Sequence, residues 1–122
     1  MISLLFTMLV VRVKAVRSGL RSKDIVPNNE NISPFAYRLS RAHANCYENF
    51  PIVIAITVVA AMNDALDIMQ GTALVFVLAR ILQASIHLYS SHMRFAMIRG
   101  AFFGVQVFIQ VYWIFALFGR LS

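Results

Sequence analysis

The 122-residue chain holds one cysteine, three prolines and five acidic residues against eleven lysines and arginines, and only 13% of it is charged. The lone Cys46 excludes an intrachain disulfide and reads as packing. So little charge leaves no solvated basic face, and the net charge of +6 therefore does not point to nucleic-acid binding. Polar connecting sequence is scarce too. Residues 23–32, with Pro27, Asn28 and Asn29, form the one polar loop and read as a linker between spans. A cleavable signal is not indicated, because 1–11 has no basic n-region and no small-residue cleavage site follows.

What fills the chain instead is apolar: 60% of residues are hydrophobic and the mean hydropathy is +0.73. That lies outside the range of a soluble domain and describes an integral membrane protein in contact with the lipid bilayer. The apolar segments are interrupted often enough for four spans of about 20 residues. The expected fold is all-α, an up-down four-transmembrane-helix bundle forming a single domain over 1–122, with helices at about 1–20, 34–62, 68–89 and 94–119.

Helix 1 is the weakest span, since its clean apolar part, 2–11, is short and Arg12 and Lys14 follow. Counting on to Arg21 gives about 30 Å, enough to cross if the basic residues lie at the cytoplasmic boundary or face the bundle; the alternative is an encoded protein that begins further upstream. Ser33 before Pro34 is a helix start, with serine as N-cap and proline in the first turn. A bend is expected near Pro51, whose ring removes one backbone hydrogen bond. Basic residues cluster around two connections, while the turn between them carries Asp64 and Asp67. This alternation predicts outer termini and a cytoplasmic side for both basic connections, with Arg120 the contrary charge. Gly100 and Gly104 would admit a neighbouring helix, and Tyr112 and Trp113 are expected in an outer aromatic belt.

The informative stretch is Ser40 to Pro51. Arg41, Asn45 and Glu48 stand at i, i+4 and i+7, so a helix puts them on one face. The apolar run after them, 50–62, covers only about 20 Å, so the helix must carry part of this polar face into the bilayer. Polar groups at that depth mark a functional site by default. Depth arithmetic sets Glu48 and Arg80 at similar height, each about 20 Å in from the outer turn. Glu48 thus has two readings, an ion pair with Arg80 or a ligand group. Arg41 and Arg99 both lie about 30 Å in, at the cytoplasmic interface, where they either snorkel to lipid phosphates or ring the mouth of a pocket. A pocket cationic at its mouth and acidic deeper in suits a small zwitterion with more than one carboxylate. His87 shares a face with Arg80 and reads first as a packed histidine. No second His or Cys stands at metal-ligand spacing, which argues against a metal site.

The stretch RAHANCYENFP resembles the helix 2 signature of the MAPEG family, the membrane-associated proteins in eicosanoid and glutathione metabolism. LAR at Leu78 to Arg80 and MIRG at Met97 to Gly100 are similar to its helix 3 and helix 4 landmarks. The resemblance implies a homotrimer with glutathione sites between subunits, open to the cytoplasm and to a lipophilic substrate from the bilayer. Carried over by position, it implies that Arg41 holds a glutathione carboxylate, Asn45 bonds the peptide and Glu48 takes the amino group. Arg99 would stabilise the thiolate, with Arg94 as the alternative. His87 would face glutathione, and Arg21 or Arg17 would supply the basic group at the end of helix 1. Departures occur at Ala44, Gln83, His87, Gly100 and Phe103, where the better-known enzymes carry other residues, including a tyrosine in place of Phe103. The function implied is a glutathione transferase or peroxidase; the alternatives are a non-catalytic lipid-binding or scaffold protein and, further off, a small exporter.

Overall fold

The computed structural model describes residues 1–90 and 92–122. Its described residues form α1 (Ile2–Arg17), a short 3-10 turn (Ser22–Asp24), α2 (Pro34–Met62), α3 (Asp67–Tyr89) and α4 (Met93–Leu121), with no strand. At 1.5 Å per residue the four helices measure about 24, 43, 35 and 43 Å. Three of them, α2, α3 and α4, are long and apolar enough to cross a membrane.

Helix α1 ends earlier than the expected residue 20. Gly19 takes φ +111°, its N–H donates to the Val16 carbonyl, and Leu20 N–H reaches back to the Ala15 carbonyl. These are the two bonds of a Schellman stop, which glycine makes without a Cβ clash. The same device closes α2. Asp64, at φ +52°, donates to the Ala61 carbonyl and Ala65 to the Ala60 carbonyl, so Ala65 is turned inward onto Ala60 and Leu117. The start of α2 follows the sequence reading: Ser33 Oγ accepts the Ala36 N–H at 3.1 Å, and Pro34 occupies the first turn. The helix then runs unbroken through Pro51.

Packing is most extensive between α3 and α4; α2 lies against α3, and α1 lies against α2. The interior cluster joins Ile56 of α2, Phe76 of α3 and Ile109 and Trp113 of α4, with the Phe76 and Trp113 rings 5.3 Å apart. Trp113 is 2% exposed and donates Nε1–H to Thr72 Oγ1 at 2.7 Å. It is therefore a core residue and not part of an aromatic belt, whereas Tyr112 is exposed. Arg120 pairs with Asp67, tying the end of α4 to the start of α3.

The bundle buries little of its own apolar surface. Ile2, Phe108 and Phe115 are at least 70% exposed, and the Gly100 and Gly104 side of α4 meets none of the other described residues. The close helix approach expected at those glycines is absent among the described residues. Water would not tolerate such a surface, but lipid or another protein surface does.

Candidate functional site

Helix α2 carries two stripes. Leu39, Ala42, Asn49, Ile56 and Ala60 are buried and face the bundle. Arg41, Asn45 and Glu48 lie roughly a quarter turn away from that stripe. Arg41 and Glu48 are exposed and Asn45 is half-buried. The polar face expected from the sequence is therefore present and points away from the chain's own interior.

The ion pair between Glu48 and Arg80 does not form. Arg80 instead donates Nη2 to the main-chain carbonyls of Asn45 at 2.9 Å and Cys46 at 3.3 Å, and Nη1 to Gln83 Oε1 at 3.3 Å. Pro51 has no N–H for the Tyr47 carbonyl, so this part of α2 is one hydrogen bond short. Arg80 adds donors to the turn before the proline. Glu48 stands about 200° around the helix from Cys46, beyond the reach of a guanidinium docked there. Equal depth was a necessary condition for the pair and not a sufficient one.

Gln83 belongs to the same interior network. It is 2% exposed, and its Oε1 also accepts Gln106 Nε2 at 2.7 Å, linking α3 to α4. Gln106 and Gln110 are buried along α4, as a stripe of helical spacing requires.

At the opposite end of α3 from Asp67, two arginines converge on its last carbonyls. Arg38 Nε donates to Leu88 O at 3.1 Å, and Arg99 Nη1 to Ser90 O at 2.9 Å. Helix C-termini leave such carbonyls unpaired and partially negative, so guanidinium groups gather there. Half-buried His87 lies one turn back, within the fields of both Arg99 and Arg41. The structure thus brings Arg41, His87 and Arg99 to one end of the bundle, with Asn45 and Glu48 rising from Arg41 along α2. Arg21 is not part of this grouping in its contacts: it donates to Asp24 at 2.8 Å within the connector. Phe103 is exposed on α4. Arg94 is exposed as well.

Sequence reasoning missed one polar centre. The connector is not a free linker, because Asn29 is fully buried, accepts Arg12 Nε at 2.7 Å and donates to Ser40 Oγ at 2.6 Å. Arg12 Nη2 also donates to the Pro27 carbonyl at 2.9 Å. Asn29 adopts φ +57°, a left-handed conformation that asparagine tolerates better than most residues. The Pro-Asn-Asn sequence was the available signal for that turn.

These features define an all-helical integral membrane protein with a polar face on α2 turned away from its own interior. A family model described as the MAPEG family matches residues 1–119, and the chain belongs to that family. It is accordingly a membrane protein of the group associated with glutathione and eicosanoid metabolism. Comparison with the curated proteins and with the solved structures returns no match.

Proposed function

We propose that the protein is a glutathione-dependent transferase or peroxidase that works on lipophilic electrophiles from the bilayer. The observation that carries this reading is the Arg41, Asn45 and Glu48 face, polar, at membrane depth and uncovered by the chain itself. Lipid is a poor cover for such a face, so neighbouring copies of the chain close it in a homotrimer of four-span subunits, its sites opening to the cytoplasm. Arg41 would hold a glutathione carboxylate, Asn45 the peptide and Glu48 the ammonium group. Each contact is a match of charge or hydrogen-bonding type. His87 lines the same end, and Arg21 or Arg17 contributes from the end of helix 1.

Arg99 is the catalytic group in this reading. An ordinary thiol has a pKa of about 8.5, and a fixed cation beside it favours the thiolate at neutral pH. One Nη of Arg99 is committed to the Ser90 carbonyl, which fixes the side chain while its other N–H groups have no partner among the described residues. The thiol proton leaves to water, and the thiolate electron pair forms a carbon–sulfur bond as the leaving group departs.

Glutathione titration of the detergent-solubilised protein tests this. Thiolate absorbance should appear with wild type, disappear with Arg99→Ala and weaken with Glu48→Gln. No thiolate signal and no thermal protection at millimolar glutathione would sink the proposal. The exposed Phe103, which cannot donate a hydrogen bond to a thiolate, favours a second reading as a non-catalytic lipid-binding protein. Turnover of a chlorinated nitrobenzene would reject that reading.

A further inference from the structure

The polar column between α3 and α4 is incomplete at two atoms. Gln106 and Gln110 are 1% and 5% exposed, yet Gln106 Oε1 and Gln110 Nε2 have no hydrogen-bond partner among the described residues. Counted from the Leu121 end of α4, the two residues lie about 22 and 17 Å along a helix long and apolar enough to cross a membrane. Lipid offers them no partner either, and a buried polar group left without one is costly.

The chemical type of each unpaired atom follows from its neighbours. Arg80 can only donate, so the Gln83 atom it reaches at 3.3 Å is the carboxamide oxygen. That oxygen also meets the Gln106 carboxamide at 2.7 Å, so the Gln106 atom there is the nitrogen. Gln106 is thereby left with its oxygen, an acceptor, on the unpaired side. Gln110 stands four residues on, one turn along the same face, and presents a donor. The two atoms do not bond each other. The other polar side chains of the column are engaged, Trp113 with Thr72 and Arg80 with the Asn45 and Cys46 carbonyls.

An occupant of this place must donate to Gln106 and accept from Gln110. An anion would face the Gln106 oxygen, and a cation would face the Gln110 amide with Arg80 further along the column, so neither suits. Water carries both a donor and an acceptor. Two hydrogen bonds in series through one oxygen cover roughly 5 Å, the separation of side chains one helical turn apart. Anything larger would displace Ile109 and Trp113, which flank Gln110 along α4 and belong to the buried apolar cluster.

We propose that Gln106 and Gln110 form a binding site for one structural water, which donates to Gln106 Oε1 and accepts the Gln110 Nε2–H. Buried waters commonly supply missing partners of this kind. The water extends the hydrogen-bonded column from the Asn45 and Cys46 carbonyls of α2, through Arg80, Gln83 and Gln106, to Gln110. The proposal does not depend on the glutathione reading.

The test uses the purified full chain in deuterated detergent, isotope-labelled at the side-chain amides of its four glutamines, Gln70, Gln83, Gln106 and Gln110. Water-selective NOE and ROE spectra distinguish a resident water, whose cross-peaks have opposite signs in the two experiments, from hydrogen exchange, whose cross-peaks have the same sign. Opposite signs are expected at Gln106 and Gln110, and exchange at the exposed Gln70. Gln110→Met, which leaves the Gln106 bond to Gln83 in place, should lose the water signal at Gln106. The wild-type spectra decide the matter even if that variant does not fold. Absence of a water contact at Gln110, as a direct Gln106–Gln110 bond would give, overturns the proposal. So does exchange at Gln110 like that of Gln70, or a Gln106 water signal that survives in Gln110→Met.

Discussion

The interior of α3 and α4 and the outward face of α2 both carry polar side chains at membrane depth, but they treat them differently. Inside, Gln83 Oε1 accepts from Arg80 of its own helix and from Gln106 of α4, and Trp113 is bonded to Thr72 of α3, although Gln106 Oε1 and Gln110 Nε2 find no partner among the described residues. On the α2 face, Arg41 and Glu48 are exposed and form no ion pair among the described residues. In hydrocarbon an unsatisfied polar group is costly. Groups satisfied within the chain therefore hold the bundle together. The exposed groups of the α2 face are the ones the proposed function assigns to a ligand and a neighbouring subunit.

That contrast can be broken by substitution, beginning where the effect is largest. Trp113→Ala should cost about 3 kcal/mol, since it leaves a void beside Phe76 and strands the Thr72 hydroxyl. Thermal unfolding in detergent would measure it. Arg80→Leu should cost about 2 kcal/mol through its lost bonds to the Asn45 and Cys46 carbonyls and Gln83. Glu48→Gln, at the same depth, should change stability by less than about 0.5 kcal/mol while lowering glutathione affinity about tenfold. If Glu48→Gln destabilised as much as Arg80→Leu, the two regions would not differ in kind. The smallest effect belongs to Arg120→Gln. Its pair with Asp67 is exposed on both sides, so any loss of melting temperature should vanish in high salt.

The same contrast explains what was legible beforehand. The Ser33 cap, the positions of α2, α3 and α4 and the common face of Arg41, Asn45 and Glu48 followed from local pattern and bear on one helix at a time. Apart from the early end of α1 at its glycine stop, the errors concern direction around a helix or contact between segments. Glu48 and Arg80 share a height but point to different neighbours, and Trp113 turned inward where a belt residue would turn outward. Asn29 looked like linker and became a buried clasp between α1 and α2.

By itself the sequence determined the membrane character and the lengths of α2, α3 and α4, because hydropathy and a 1.5 Å rise per residue are local quantities. Only the tertiary structure decided which face of each helix is interior and which polar residues satisfy one another. The reason is physical. In a membrane the lipid is as apolar as the protein core, so an apolar stripe does not reveal which way it faces, and the choice falls to packing and hydrogen bonding between helices.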